Sequence, residues 1–147
     1  MAREAKLILF QLGNEVYAVD LRYVREVVNS SNTIRVPGAQ DFVKGVMDLR
    51  GRVLTLIDLA RILGTESDAH SKVLVYLDNK SDAPALGFVV DQVLGVITVK
   101  ENEIERPPLK LSELVKGYVR TDRGIVTVLD IEKVAEQVKK ELGGEEP

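Results

Sequence analysis

A chain of 147 residues and 16.3 kDa is about one domain's worth of polypeptide. With 45% hydrophobic and 29% charged residues it has the balance of a folded soluble domain, and a net charge of −3 argues against a nucleic-acid binder that works by neutralising phosphates. The absence of cysteine and the presence of one histidine, His70, exclude disulfides, thiolate zinc sites and cysteine nucleophiles and remove most histidine chemistry.

In chain order, residues 6–12 and 15–19 flank Gly13-Asn14 and predict a hairpin. The early apolar run Leu7-Ile8-Leu9-Phe10 is too short for a signal-peptide core or a membrane span, which points to a cytoplasmic chain. After Asp20, the residues Leu21, Val24, Val27 and Val28 make an apolar stripe at helical spacing. Strands are expected at 33–36, 45–49 and 53–57, then a short helix carrying Leu59, Ile62 and Leu63 with Gly64 as its stop. Residues 65–71 form a polar connection. Strands follow at 73–77, 86–90, 96–99, 117–121 and 125–129, while 101–111, with Pro107-Pro108, is expected to be a surface loop. A C-terminal helix carries Ile131, Val134, Ala135, Val138 and Leu142, with Lys139 and Lys140 near its end, and residues 143–147 form a frayed tail.

Four aspartates, Asp20, Asp58, Asp91 and Asp130, each follow an apolar strand end. An Asp there can accept hydrogen bonds from the free N–H groups of a first helical turn, so all four are read as helix N-caps rather than as a carboxylate or metal cluster. Their spacing exposes a duplication: Asp20 to Asp91 is 71 positions and Asp58 to Asp130 is 72. Sliding 43–63 by 72 positions lays Val43-Lys44-Gly45 on Val115-Lys116-Gly117, Thr55 on Thr127 and Asp58 on Asp130. The expectation is one domain over 6–142 built from two half-domains, 6–64 and 72–142, sharing a core; whether strands pass between the halves is left open.

Local motifs for catalysis are missing: there is no G-x-S-x-G, no H-E-x-x-H and no glycine-rich phosphate loop. His70 reads as a solvated loop histidine. Three Phe and four Tyr fall mostly within apolar strands, which makes the nucleic-acid reading poor. The segment Asp48-Leu49-Arg50-Gly51-Arg52 differs, because a tight glycine turn there offers two arginines, which suits a partner carboxylate or backbone carbonyls. Its copy, Arg120-Thr121-Asp122-Arg123-Gly124, keeps the turn and changes the chemistry.

Three stretches carry a family resemblance: F-x-L-G-x-E-x-Y-A-V-D-L-x-x-V-R-E-V at 10–27, F-V-K-G-V-M-D-L-R-G-R-V-L-T-L-I-D-L at 42–59 and L-G-F-V-V-D-Q-V-L-G-V at 86–96. The chain resembles the CheW family of bacterial chemotaxis coupling proteins from about residue 6 to 138. The resemblance implies a mainly β fold of two five-stranded SH3-like β-barrel subdomains around a common core, with a few short helices and a C-terminal helix. It implies a non-enzymatic adaptor without cofactor, coupling a chemoreceptor's cytoplasmic tip to the histidine kinase CheA through that kinase's own CheW-like regulatory domain, and reaching the membrane only through the receptor array. The receptor tip, a helical hairpin, would contact Val24, Glu26, Val27, Gly45 and Arg50, and Gly87 would be a packing or interface position. Here Asp48 stands where the family turn usually has Asn, and Thr55 where Pro is common. The alternatives are a CheW-like protein of a non-chemotactic signalling array, or a small-barrel nucleic-acid or ligand binder.

Overall fold

The computed structural model describes residues 3–67, 70–78 and 86–143. Ten strands form two five-stranded sheets. Strand β1 (Glu4–Leu12) turns at Gly13-Asn14 into β2 (Glu15–Asp20), and a 3₁₀ turn (Leu21–Tyr23) leads to β3 (Val24–Asn29). Then come β4 (Val43–Leu49), β5 (Arg52–Asp58) and α1 (Leu59–Leu63). The chain continues through β6 (Lys72–Tyr76), β7 (Leu86–Val90), β8 (Gln92–Lys100), a 3₁₀ turn (Glu101–Glu103), β9 (Val115–Thr121), β10 (Gly124–Leu129) and α2 (Ile131–Glu141). The first sheet has the order β8-β1-β2-β10-β9 and the second β3-β6-β7-β5-β4.

Both sheets follow one plan. In each, antiparallel hairpins are joined by a parallel pair, β10 with β2 and β5 with β7. Strands β4 and β5 and helix α1 recur 72 positions later as β9, β10 and α2. Each sheet nevertheless draws on both halves of the sequence: the first takes β1 and β2 from the N-terminal half, and the second takes β6 and β7 from the C-terminal half. The exchange is laid down by the parallel pairs, which join strands more than thirty residues apart and appear in no local pattern.

Burial explains why the central strands read as nearly unbroken apolar runs. Along β1, Ile8, Phe10 and Leu12 face a core shared with Ile57, Leu74, Phe88, Val90 and the inner face of α2, whereas Leu7 and Leu9 face a separate cluster with Ala18, Val119, Val126 and Val128. The second sheet has its own cluster around Leu54, Leu56, Val73, Val75 and Val89. Strands covered on both faces lose the alternation expected of half-exposed ones.

Three expectations need correcting. The sheets are not closed barrels: each is an open row whose edge strands, β8 and β9 or β3 and β4, do not pair with each other. The helix expected after Asp20 is one 3₁₀ turn, and β3 occupies 24–29, while the strand expected at 33–36 shrinks to a single bridge between Ile34 and Val46. Exposure alternates along β3, with Val24, Glu26 and Val28 partly buried and Arg25, Val27 and Asn29 exposed, and pairing with β6 selects the strand over the helical reading. A register shift between Val24 and Glu26 puts Val24 against the shared core and Val28 against the second sheet's own cluster.

Candidate functional site

Of the four aspartates, three sit at helix starts. The carboxylate of Asp20 accepts from the Arg22 N–H (2.9 Å), that of Asp58 from the Arg61 N–H (3.3 Å) and that of Asp130 from the Lys133 N–H (3.2 Å). Asp20 also binds the Arg22 side chain through two hydrogen bonds, and these hold the guanidinium pKa above its usual value. Asp91 opens no helix, because β8 begins at the next residue. Its buried carboxylate instead accepts from the Gly13 N–H (2.8 Å) and the Ser67 hydroxyl, while its own N–H reaches the Gln11 carbonyl (3.0 Å). Asp91 thereby ties the β1–β2 turn to the connection after α1. The same sequence signal serves two structural purposes.

His70, read as a solvated loop residue, is half-buried: its Nε2 lies 3.0 Å from the Ser67 carbonyl oxygen, and its Nδ1 is buried with no partner among the described residues. No group of three or more His, Asp or Glu among the described residues could hold a metal ion.

The residues singled out by the resemblance separate into surface and support. Strand β3 is one edge of the second sheet, and the β4–β5 turn belongs to the hairpin at its other edge. Arg50 in that turn reaches across to Glu26 on β3, and the two side chains form an ion pair. Residues 24 positions apart are thus brought to one place, with Val27 beside Glu26 in the chain and 38% exposed. Val24 is half-buried and packs against the shared core. A two-residue connection between Leu49 and Arg52 puts both Arg50 (φ 51°) and Gly51 (φ 87°) in the left-handed region, the geometry of a tight hairpin turn matched to strand twist. Asp48 fixes the turn, its Oδ1 accepting from the Gly51 N–H at 3.0 Å.

Gly45 and Gly87 lie beneath this surface. At Gly45 (φ 152°) a Cβ would sit 2.3 Å from the carbonyl oxygen of Ile34, where the chain crosses to bridge β4. Gly117, 72 positions later, is equally confined: a Cβ there would lie 2.6 Å from Ile104 Cγ2 and 2.7 Å from the Glu105 oxygen, where the chain bridges Tyr118. At Gly87 a Cβ would meet Val73 Cγ1 at 2.5 Å inside the second sheet's own cluster, so that position packs rather than contacts a partner directly.

Reading the sequence missed a second surface. In the loop before β9, Leu109 and Leu111 are 73% and 67% exposed. They line a concavity with Arg106, Lys116 and Lys133, beside an ion pair of Lys110 with Glu113 (3.4 Å). The signal was available as Pro107-Pro108 followed by alternating leucines in a polar stretch. Elsewhere, burial and a hydrogen bond to Glu15 push the Tyr17 hydroxyl up to about 12, and burial with the charge of Asp78 raises that of Tyr76, so neither is poised for proton transfer near neutral pH.

Known proteins resemble this chain over most of its length. A family model described as a CheW-like domain matches residues 6–139. A chemotaxis protein CheW of Thermotoga maritima is 32% identical over 143 residues, covering 96% of this chain and 94% of that one. Protein PilI of Pseudomonas aeruginosa is 33% identical over 104 residues, 69% of this chain and 58% of its own. The crystal structure of the scaffolding protein TtCheW from Thermoanaerobacter tengcongensis superposes with a TM-score of 0.75 at 28% identity, covering 88% of this chain and 90% of that one.

Proposed function

This chain belongs to the CheW-like family of non-enzymatic scaffolds that link chemoreceptors to the histidine kinase CheA, and we propose that it does so through two separate surfaces, one on each sheet. The receptor's helical cytoplasmic tip docks on the second sheet along β3 and the β4–β5 turn. Val24 and Val27 supply aliphatic contact on one face of this edge strand, and Glu26 and Arg50, on its other face, supply charge that fixes direction. Gly45 and Gly87 hold the backbone beneath at the close spacing this surface needs. The kinase's CheW-like regulatory domain docks elsewhere, and the exposed Leu109 and Leu111 beside β9 are the apolar surface we assign to it. The protein acts in the cytoplasm and reaches the membrane only through its receptors.

The observation that carries this reading is the Glu26–Arg50 pair, which gathers residues from both edges of one sheet into a single exposed site. The test is co-sedimentation with a receptor fragment carrying the cytoplasmic tip, with and without kinase. Arg50→Ala is expected to lose the receptor and keep the kinase, whereas Leu109→Ser with Leu111→Ser is expected to do the reverse. Wild-type binding of both partners by Arg50→Ala would remove Arg50 from the receptor site.

A further inference from the structure

Arg50 is constrained at both backbone and side chain. Its φ of 51° is a left-handed conformation that a side chain as long as arginine adopts at some energetic cost. The turn is kept by the Asp48 carboxylate on the Gly51 N–H, and the guanidinium is drawn toward β3 by Glu26. Yet 68% of the Arg50 side chain is exposed, and Glu26 engages it only through Nη2. Nε and Nη1 have no partner among the described residues.

A guanidinium carries five N–H donors in a plane. Nη2 has two hydrogens, one directed alongside Nε–H and the other alongside Nη1–H. Glu26 occupies one of them, so the other still completes a two-point fork with its neighbour. A planar fork of this kind matches a carboxylate, and neither a lone carbonyl nor a helix backbone with its own hydrogen bonds already made fills it equally well.

We propose that Glu26 and Asp48 are positioning residues, which act through Arg50 to hold an open guanidinium fork toward a carboxylate on the docking partner. The inference rests on the receptor reading above and specifies its chemistry: the receptor tip presents an Asp or Glu side chain at this point. Glu26 serves by orienting the arginine, and Asp48 serves through the side-chain oxygen that accepts from the Gly51 N–H and needs no charge.

The test is titration calorimetry of the full-length chain against a soluble receptor fragment containing the cytoplasmic tip, with thermal unfolding measured on every variant. Arg50→Lys keeps the charge but has no fork, and is expected to weaken binding by about tenfold or more at unchanged unfolding temperature. Glu26→Gln, which frees the arginine to wander, is expected to weaken it by about threefold. Asp48→Asn retains an oxygen for the Gly51 N–H and should bind like the wild type, whereas Asp48→Ala should not. That rescue separates positioning from a merely structural or electrostatic role. If the wild type binds the fragment and Arg50→Lys binds it equally well, the fork inference falls and the receptor reading stands. If the wild type does not bind, the receptor reading falls and takes this inference with it.

Discussion

The two sheets are built on one plan and differ where they meet solvent. Their inner positions correspond: Gly45 and Gly117 make room for a crossing chain, and the crossing residues Ile34 and Glu105 bridge Val46 and Tyr118. Even the exposed aliphatics recur, with Val53 and Ile125 at equivalent hairpin positions. The rims diverge. The second sheet ends in Leu49-Arg50-Gly51-Arg52 and ties Arg50 across to Glu26, while the first ends in Thr121-Asp122-Arg123-Gly124 and ties Arg120 to the neighbouring crossing strand at Glu105. Helix α1 has 5 residues and α2 has 11. A shared core obliges both copies to keep matching interiors, whereas exposed rims are free to differ, and the docking of different partners on the two sheets proposed above uses that freedom.

The largest expected effect tests whether the sheets are one unit. Phe88 is 1% exposed and lies in the core shared by both sheets, so Phe88→Ala should cost about 3–5 kcal/mol. Hydrogen exchange should show β1 and β2 losing protection together with β6 and β7. Loss confined to the second sheet would show that each sheet is held by its own cluster. Next come the paired glycines. The clash in Gly117→Ala is worth about 1–3 kcal/mol by overpacking, and Gly45→Ala adds about 1 kcal/mol more for its positive φ. Denaturant titration that finds the two equal would remove φ as the difference between the copies.

These glycines also mark what could be read from the chain. Gly45 and Gly117 were visible as a repeat because tight crossings admit no Cβ, and the β4–β5 and β9–β10 hairpins were visible because turn residues interrupt apolar runs. Strand β3 was misread because Leu21, Val24, Val27 and Val28 satisfy a helical period, and only pairing with β6 selects the alternative. The Glu26–Arg50 contact and the exchange of strands between sheets depend on residues far apart in sequence, which leave no local trace. Asp91 was misassigned for a different reason: an aspartate after a strand looks the same whether it caps a helix or binds a distant turn.

That ambiguity gives the next prediction. Asp91 holds the Gly13 N–H and the Ser67 hydroxyl from a buried position, and Asp130 caps an exposed helix start. Asp91→Ala should cost about 1–3 kcal/mol through unsatisfied buried donors, and Asp130→Ala about 1 kcal/mol as an ordinary lost cap. Equal losses in thermal unfolding would reduce Asp91 to a surface hydrogen bond.

The smallest effect lies on the first sheet's rim. Arg120 donates from Nε to Glu105 Oε2 (2.7 Å) and from Nη2 to Oε1 (3.3 Å), and these hydrogen bonds, with the charge of the guanidinium, hold the Glu105 carboxyl below its usual pKa. A carboxyl lowered on folding stabilises the fold above its unfolded pKa, and that contribution disappears as pH falls through the folded value. Carbon-detected NMR should find Glu105 ionising at lower pH than unpaired glutamates, and Arg120→Gln should move it back up. The acid-unfolding midpoint should scarcely change, because exposed ion pairs contribute little and added salt weakens them further. If Glu105 titrates with the unpaired glutamates instead, the crossing strand is held to β9 by its two backbone hydrogen bonds with Tyr118 alone, and the charged tie that reaches a sheet edge belongs to the second sheet only.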